Sequence, residues 1–138
     1  MQIEEVIALL KEKNEPVPKP LILPTEDEVS CAEKDLSFKF PAQYRKFMLE
    51  ASCVTFGVRE PGLVLPDLQP YCCLRRMTKD GRQSGVPKDF IVFCEENGNY
   101  FTINEKGNIG YYDHDDLTHN LHNGDFKDWV IENWLELE

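Results

Sequence analysis

The sequence predicts an α+β fold in which an antiparallel β-sheet, a meander, is flanked by N-terminal helices and a C-terminal helix. Apolar residues recur at helical spacing up to about residue 51, and they then cluster in short strand-like segments up to residue 112. Helical spacing returns after residue 125. Helices first, a sheet next and a helix last is the element order of an α+β protein.

The first 14 residues predict an amphipathic helix, because their apolar side chains fall at positions i, i+3, i+4 and i+7. These side chains are Ile3, Val6, Ile7 and Leu10. Four prolines follow between residues 16 and 24, at nearly every second position. Prolines at that spacing exclude a helix and predict an extended segment.

Two further helices are predicted from their first residues. Thr25 and Glu28 form a T-x-x-E capping box, in which each side chain accepts a hydrogen bond from a backbone amide at the start of a helix. Pro41 suits the first position of a third helix, because its missing N–H is not needed there. The apolar stripe of that helix runs from Tyr44 to Ala51.

Short strands are predicted after Ser52. Residues 53–57 and 63–65 are interpreted as strands on either side of the Glu60-Pro61-Gly62 turn. Residues 71–77 fit no single pattern, and the segment from Thr78 to Lys88 is interpreted as a polar loop.

The strongest strand signal lies between residues 90 and 112. Residues 90–94, 99–104 and 109–112 predict three strands joined by tight turns. Asn97-Gly98 is a strong hairpin signal, because both residues tolerate the positive φ angles of a two-residue turn. The three strands therefore form an antiparallel meander.

The chain ends in a predicted helix. A polar stretch from Asp113 to Gly124 precedes it, and Asp125 supplies the N-cap. One face of this helix carries Phe126, Trp129, Val130 and Trp134. No second domain is indicated, so residues 1–138 are expected to form one domain, with residues 1–19 interpreted as its N-terminal helical extension.

The charge is strongly acidic, with 25 acidic and 15 basic residues and a formal net charge of −10. Residues 95–138 hold eleven acids but only Lys106 and Lys127 as bases. A chain this acidic is poorly suited to binding nucleic acid or an anionic membrane, because attraction to phosphate groups supplies much of the affinity for them. The asymmetry favours a basic protein partner, although a solubilising surface is the simpler interpretation.

The cysteines indicate a reducing compartment. They are odd in number and form no C-x-x-C pair, which is typical of free thiols in a cytoplasmic protein; they are Cys31, Cys53, Cys72, Cys73 and Cys94. The charged first 15 residues do not fit a secretory leader. No apolar run approaches the length needed to span a membrane.

Four segments together are similar to a known family. They are the capped helix at 25–29, the Phe-Pro-Ala-Gln-Tyr segment at 40–48, the hairpin at 90–102 and the terminal segment at 126–130. In this order they resemble the SUKH immunity superfamily, also called the SMI/KNR-like domain. One departure is Ala51-Ser52-Cys53, which stands where family members usually continue into an Asn-Gly turn.

This resemblance implies an SMI/KNR-like α+β fold and a non-enzymatic binding function. Bacterial members of the superfamily typically bind and block the catalytic domain of a polymorphic toxin, often a nuclease or a deaminase. Other members, including the yeast type, are interaction modules. The resemblance therefore implies a toxin catalytic domain as the partner, with a regulatory scaffold as the alternative. The acidic charge of the chain predicts that this partner is basic.

The residues themselves offer weak candidates for catalysis. Carboxylates and imidazoles, the side-chain types of a metal site, occur together in the segment 113–116 and at His119 and His122. Their spacing matches neither a calcium loop nor the H-E-x-x-H motif. A small metal-dependent hydrolase using residues 113–122 is therefore the weakest hypothesis. Cys94 ends an apolar strand and is expected to be an inert buried thiol. We expect no cofactor, no metal and no enzyme activity.

A partner-binding face is predicted at one end of the sheet. In a meander, the turn after the first strand and the end of the third strand lie at the same end. The carboxylates there are called the acidic rim; they are Glu95, Glu96, Asp113, Asp115 and Asp116. Adjacent residues of a strand face opposite sides, so either Tyr111 or Tyr112 is expected to face outward beside the acidic rim and contribute to binding.

Overall fold

The structure, a computed structural model, describes residues 1–64 and 73–136. The helices are α1 (Ile3–Glu12), α2 (Glu26–Leu36), α3 (Ala42–Glu50), α4 (Leu74–Ser84) and α5 (Phe126–Trp129). The strands are β1 (Phe90–Glu96), β2 (Asn99–Asn104), β3 (Ile109–Asp113) and β4 (Thr118–Leu121). A π-helical segment, Val130–Trp134, continues α5.

The four strands form one antiparallel sheet in the order β1-β2-β3-β4. Neighbours in the chain are therefore neighbours in the sheet. A bulge between Val92 and Cys94 shifts the register of β1 against β2. The bulge puts Phe93 and Cys94 into the same core cluster. The predicted α+β class and the predicted meander are both confirmed.

The larger core lies between one face of the sheet and helices α1, α2, α3 and α5. Phe93 is central to it: its ring lies 4.7 Å from that of Trp129 and 5.6 Å from that of Phe126. The stripe from Ile3 to Leu10 is buried in the same cluster. Helix α1 is thus packed into the main core rather than projecting from it.

The other face of the sheet is covered by α4, and the segment from Thr78 to Lys88 is therefore helical as far as Ser84, not the predicted loop. The buried face of α4 carries Leu74, Met77, Thr78 and Gly81. A Cβ at Gly81 would lie only 2.5 Å from Val92 Cγ2, so glycine lets the helix approach β1 closely. Polar and small residues at these buried positions conceal the helical stripe in the sequence.

The two strands predicted before residue 66 are not formed as predicted. Residues 53–57 form no strand and contribute only an isolated bridge between Phe56 and Arg59. Leu63 makes a single parallel bridge to Cys73, while Leu65 and Cys72 lie outside the described residues. The polar stretch after Asp113 contains the unpredicted strand β4, whose side chains are mostly exposed and so lack the alternation of a half-buried strand.

The helix caps follow the sequence prediction. The Glu28 amide donates to Thr25 Oγ1 at 3.2 Å, and the Thr25 amide donates to Glu28 Oε1 at 2.9 Å. Asp125 caps α5 in the same reciprocal way with Asp128. Pro41 is the N-cap of α3, one position earlier than predicted.

Candidate functional site

The acidic rim is assembled by the two hairpins at one end of the sheet. Glu95 pairs with Tyr100 on β2, and Tyr100 pairs with Tyr112 on β3, so residues at the ends of β1 and β3 share one row. The backbone N–H of His114 donates to Asn99 Oδ1 at 2.9 Å. This bond ties the β3–β4 loop to the start of β2, next to the β1–β2 turn.

Asp113 orders the loop that carries the next two acids. Its Oδ1 accepts hydrogen bonds from the backbone amides of Asp115 at 2.9 Å and Asp116 at 3.4 Å. The side chain of Asp115 is 81% exposed, and Asp116 is also exposed. The Nε2 of His114 lies 3.3 Å from Asp115 Oδ1. Asp113 thus has a structural role, and the two acids after it face solvent.

The carboxylate of Glu96 interacts with other side chains of the protein. It forms an ion pair with Arg59, which is largely buried, and it accepts a hydrogen bond at 3.1 Å from the Tyr111 hydroxyl. The Arg59 guanidinium lies over the Phe101 ring, 5.1 Å from its centroid, and donates to the Asn133 carbonyl. Because its charge is neutralised, Glu96 is less available to a partner than Glu95, which is exposed.

The two tyrosines beside the acidic rim both belong to packed clusters. Tyr112 is only 2% exposed, and its hydroxyl donates to the Ser84 carbonyl of α4. Because α4 covers Tyr112, the candidate for the outward-facing tyrosine of the predicted binding face is Tyr111. Tyr111 is half-buried against Phe101, with ring centroids 5.0 Å apart.

Two acids outside the acidic rim, Glu105 and Asp125, form hydrogen bonds that stabilise the fold. Glu105 accepts a hydrogen bond from the Lys39 amide at 2.7 Å. Burial alone would raise the pKa of Asp125, but hydrogen bonds from Lys127 at 2.8 Å, Gln43 at 2.9 Å and Asp128 together lower its pKa to about 2. Within the acidic rim, the carboxylates that face solvent are those of Glu95, Asp115 and Asp116.

The residues of the predicted metal-binding segment do not come together at one site in the structure. Ligand atoms of Asp113, His114 and Asp115 lie within 4.8 Å of one another, but two of these residues are exposed. His119 turns towards Thr102, and burial lowers its pKa. His122 lies on the opposite face beside Tyr111. A cluster of three residues, two of them exposed, with His119 and His122 directed elsewhere, lacks the supporting hydrogen bonds that orient the ligands of a metal centre.

Cys94 has the properties of an inert thiol, as predicted. It is fully buried, and burial raises its pKa to about 12. A nucleophilic cysteine requires the opposite, a lowered pKa and access to substrate. Among the described residues, neither this thiol nor the segment after Asp113 is arranged for catalysis.

Sequence analysis missed two features near the acidic rim. Arg59, the partner of Glu96, lies 37 positions away and carries no local signal. The second feature is a pair of leucines: Leu117, just before β4, is 71% exposed, and Leu121, the last residue of β4, is 61% exposed. Because the side chains of β4 are mostly exposed, its sequence carries no clear strand signal.

Known proteins resemble this chain in family and in structure. The profile of the SUKH_5 family, described as "SMI1-KNR4 cell-wall", matches residues 3–135. A crystal structure of a protein from Pseudomonas syringae pv. tomato superposes with a TM-score of 0.87 at 32% identity, covering 96% of this chain and 98% of that one. No curated protein matches the chain. Among the described residues, no helix is long and apolar enough to cross a membrane.

The family profile spans nearly the whole chain, and its match agrees with the motifs at residues 25–29, 40–48, 90–102 and 126–130. The solved relative has the same architecture over nearly all of its length. The chain belongs to the SUKH, or SMI1-KNR4, family.

Proposed function

We propose that this protein is a non-enzymatic immunity protein that binds and neutralises a basic bacterial toxin domain of the nuclease or deaminase type. The observation that carries the proposal is the acidic rim at one end of the sheet, where Glu95, Asp115 and Asp116 are exposed. Family membership supports a protein-binding role. The net charge of −10 supports a cationic partner.

The physical basis of recognition is charge complementarity. Exposed carboxylates at the edge of an interface steer a cationic partner during encounter and increase the association rate. The substrate site of a nuclease is built to attract phosphate, so a cluster of carboxylates can occupy it in place of the nucleic acid. Asp115 and Asp116 are well placed for this, because Asp113 holds their backbone in one conformation.

The proposal is tested by affinity capture from the native cell with two baits. One bait is the wild-type protein; the other is the matched variant Glu95→Gln/Asp115→Asn/Asp116→Asn, which changes charge with little change in shape. We expect the wild type to retain a basic toxin domain that the variant does not retain. Co-expression of the wild type should then suppress the growth inhibition caused by that domain.

A regulatory scaffold gives a different result in the same experiment. It would retain a partner whose own activity is unchanged when the complex forms. Equal capture by both baits would contradict recognition through the acidic rim. A bound toxin domain that remains fully active would contradict the immunity function.

A further inference from the structure

The two outer strands of the sheet have different edges. On β1, outward-facing backbone groups of Phe90, Val92 and Phe93 form hydrogen bonds. Arg82 donates to the Phe90 carbonyl at 3.0 Å, and the Val92 amide donates to Thr78 Oγ1 at 3.0 Å. The Gly62 amide donates to the Phe93 carbonyl at 2.7 Å. Helix α4 and Gly62 thus cover this part of the β1 edge.

Among the residues that the structure describes, none covers the edge formed by β4. The His122 amide donates to the Ile109 carbonyl at 2.8 Å, and in an antiparallel ladder every second residue makes such bonds. Asn120 therefore also bonds to β3, whereas the N–H and C=O groups of His119 and Leu121 point away from the sheet. Within residues 1–64 and 73–136, nothing donates to these groups or accepts from them. An uncovered row of this kind is a template for another strand.

Two exposed leucines lie at the ends of β4: Leu117 in the turn just before it and Leu121 as its last residue. Leu117 has φ 56°, in the left-handed region, and is 71% exposed. Glycine or asparagine adopts that conformation more readily than leucine does. Leu121 is 61% exposed. Strained residues of this kind tend to occur at sites that bind another molecule.

The charge around β4 indicates what kind of strand would fit. β4 itself, Thr118–Leu121, has no acidic or basic residue, apart from the titratable His119. Asp115 and Asp116 immediately precede it and face solvent. An extended segment with lysine or arginine would therefore meet backbone partners along β4 and carboxylates at one end of it.

We propose that β4 accepts an extended, lysine- or arginine-containing segment of the partner protein as a fifth strand of the sheet. Backbone hydrogen bonds to His119 and Leu121 supply the pairing. Leu117 and Leu121 contact apolar side chains of the added strand, and Asp115 and Asp116 contact its cations. The basic character of the segment rests on the proposed function, whereas the strand pairing rests on the open edge.

The test uses a short blocked peptide of alternating lysine and valine, and the same peptide with every backbone amide N-methylated. The second peptide keeps all charges and side chains but has no backbone donors. We expect the first to slow amide hydrogen exchange at His119 and Leu121 while leaving the β1 edge unchanged. N-methylation should weaken binding by about tenfold or more, the loss expected when a hydrogen bond is removed.

Two variants locate the effect on β4. Leu121→Pro removes an outward-facing N–H without breaking the ladder to β3, and Leu121→Ala is its matched control, which keeps the N–H. We expect the proline variant to bind the peptide more weakly than the alanine variant. Leu117→Asn should stabilise the free protein, because asparagine tolerates the left-handed conformation, and it should weaken peptide binding. Denaturant unfolding confirms that each variant is folded.

Several outcomes overturn the proposal. Equal binding of the two peptides would show attraction by charge alone, which contradicts strand addition but leaves the proposed function intact. Equal binding of a glutamate–valine peptide would contradict the basic partner and the proposed function with it. A dimer in which His119 and Leu121 are protected without peptide would assign the edge to a second copy of this chain. Absence of binding at low salt would also contradict strand addition.

Discussion

The imidazole Nε2 of His119, on β4, lies 2.7 Å from the hydroxyl of Thr102, on β2, across the intervening strand β3. Gly110 leaves room for this contact, since a Cβ there would lie 2.6 Å from Nε2 and 2.7 Å from Thr102 Oγ1. The ring also packs edge-on against Phe90, with centroids 4.5 Å apart. A single side chain thus anchors β4 to the second strand of the sheet.

Gly110→Ala should lower the free energy of unfolding by roughly 1–3 kcal/mol, because it displaces the imidazole and leaves the buried Thr102 hydroxyl without its partner. Denaturant unfolding measures the change. In the His119→Ala background the same substitution should cost much less, since the displaced ring is already absent. Equal costs in the two backgrounds would contradict the bridge.

The stability should depend on pH through His119. Burial lowers its pKa in the folded protein, so the unfolded chain binds a proton first as the pH falls. The stabilisation is complete above the ordinary histidine value of about 6.5 and is lost as the pH falls below it towards the lowered folded pKa. Unfolding curves at several pH values should show this dependence in the wild type and a smaller one in His119→Gln. Identical pH profiles would exclude the effect.

Tyr44 is buried completely, and within the described residues its hydroxyl has no hydrogen-bond partner. Burial raises its pKa far above the usual value. Tyr44→Phe removes a desolvated hydroxyl, so the free energy of unfolding should stay the same or rise by about 1 kcal/mol.

Tyr111→Phe is the matched control for that substitution. It deletes a hydroxyl that donates to Glu96, so it should lower the stability. A loss of more than about 1 kcal/mol in Tyr44→Phe would contradict the absence of a partner.

Trp129 joins α5 to the sheet and is 3% exposed, with its ring 4.7 Å from Phe93 and 5.2 Å from Phe101. Trp129→Ala should lower the free energy of unfolding by roughly 3–5 kcal/mol, as for other large buried aromatics. Trp129→Phe keeps part of the packing and should cost less. A denaturation midpoint equal to that of the wild type would show that the helix is not docked through this residue.

The triple substitution of Asp113, Asp115 and Asp116 by asparagine tests the acidic rim. The amide that replaces the Asp113 carboxylate retains an oxygen that accepts the loop hydrogen bonds, so stability should be unchanged or slightly higher as charge repulsion falls. Association with the proposed partner should slow, and its salt dependence should flatten. Kinetics at low and high ionic strength measure both. Equal rates and salt slopes would identify the acidic rim as a solubilising surface.

Local signals predicted much of the fold. The capping box at Thr25 and the Asn97-Gly98 turn are determined by residues three positions apart or fewer, and both are confirmed. Helix α4 escaped prediction because its contact with β1 uses Thr78 and Gly81, which are not apolar markers. β4 escaped because an exposed edge strand has no buried face to impose alternation.

The location of the candidate site at one end of the sheet could be predicted from the sequence. Which of its residues are exposed could not. Meander topology puts Glu95 and Asp113 at one end of the sheet, as the chain order requires. Which acids face solvent depends on distant contacts: Arg59 neutralises Glu96, and α4 buries Tyr112. No pattern within the strands encodes those contacts.

The unequal edges of the sheet also limit how the protein assembles. Head-to-tail growth of sheets into fibrils requires two pairing edges on each copy, so that every added molecule offers a new one. In the part of the chain that the structure describes, Arg82, Thr78 and Gly62 bond to outward groups of β1, whereas the outward groups of β4 are open. A copy of this chain that pairs through β4 therefore offers no second edge at β1 to which a further copy could be added. Such a protein can be made in excess over its partner without polymerising through its sheet.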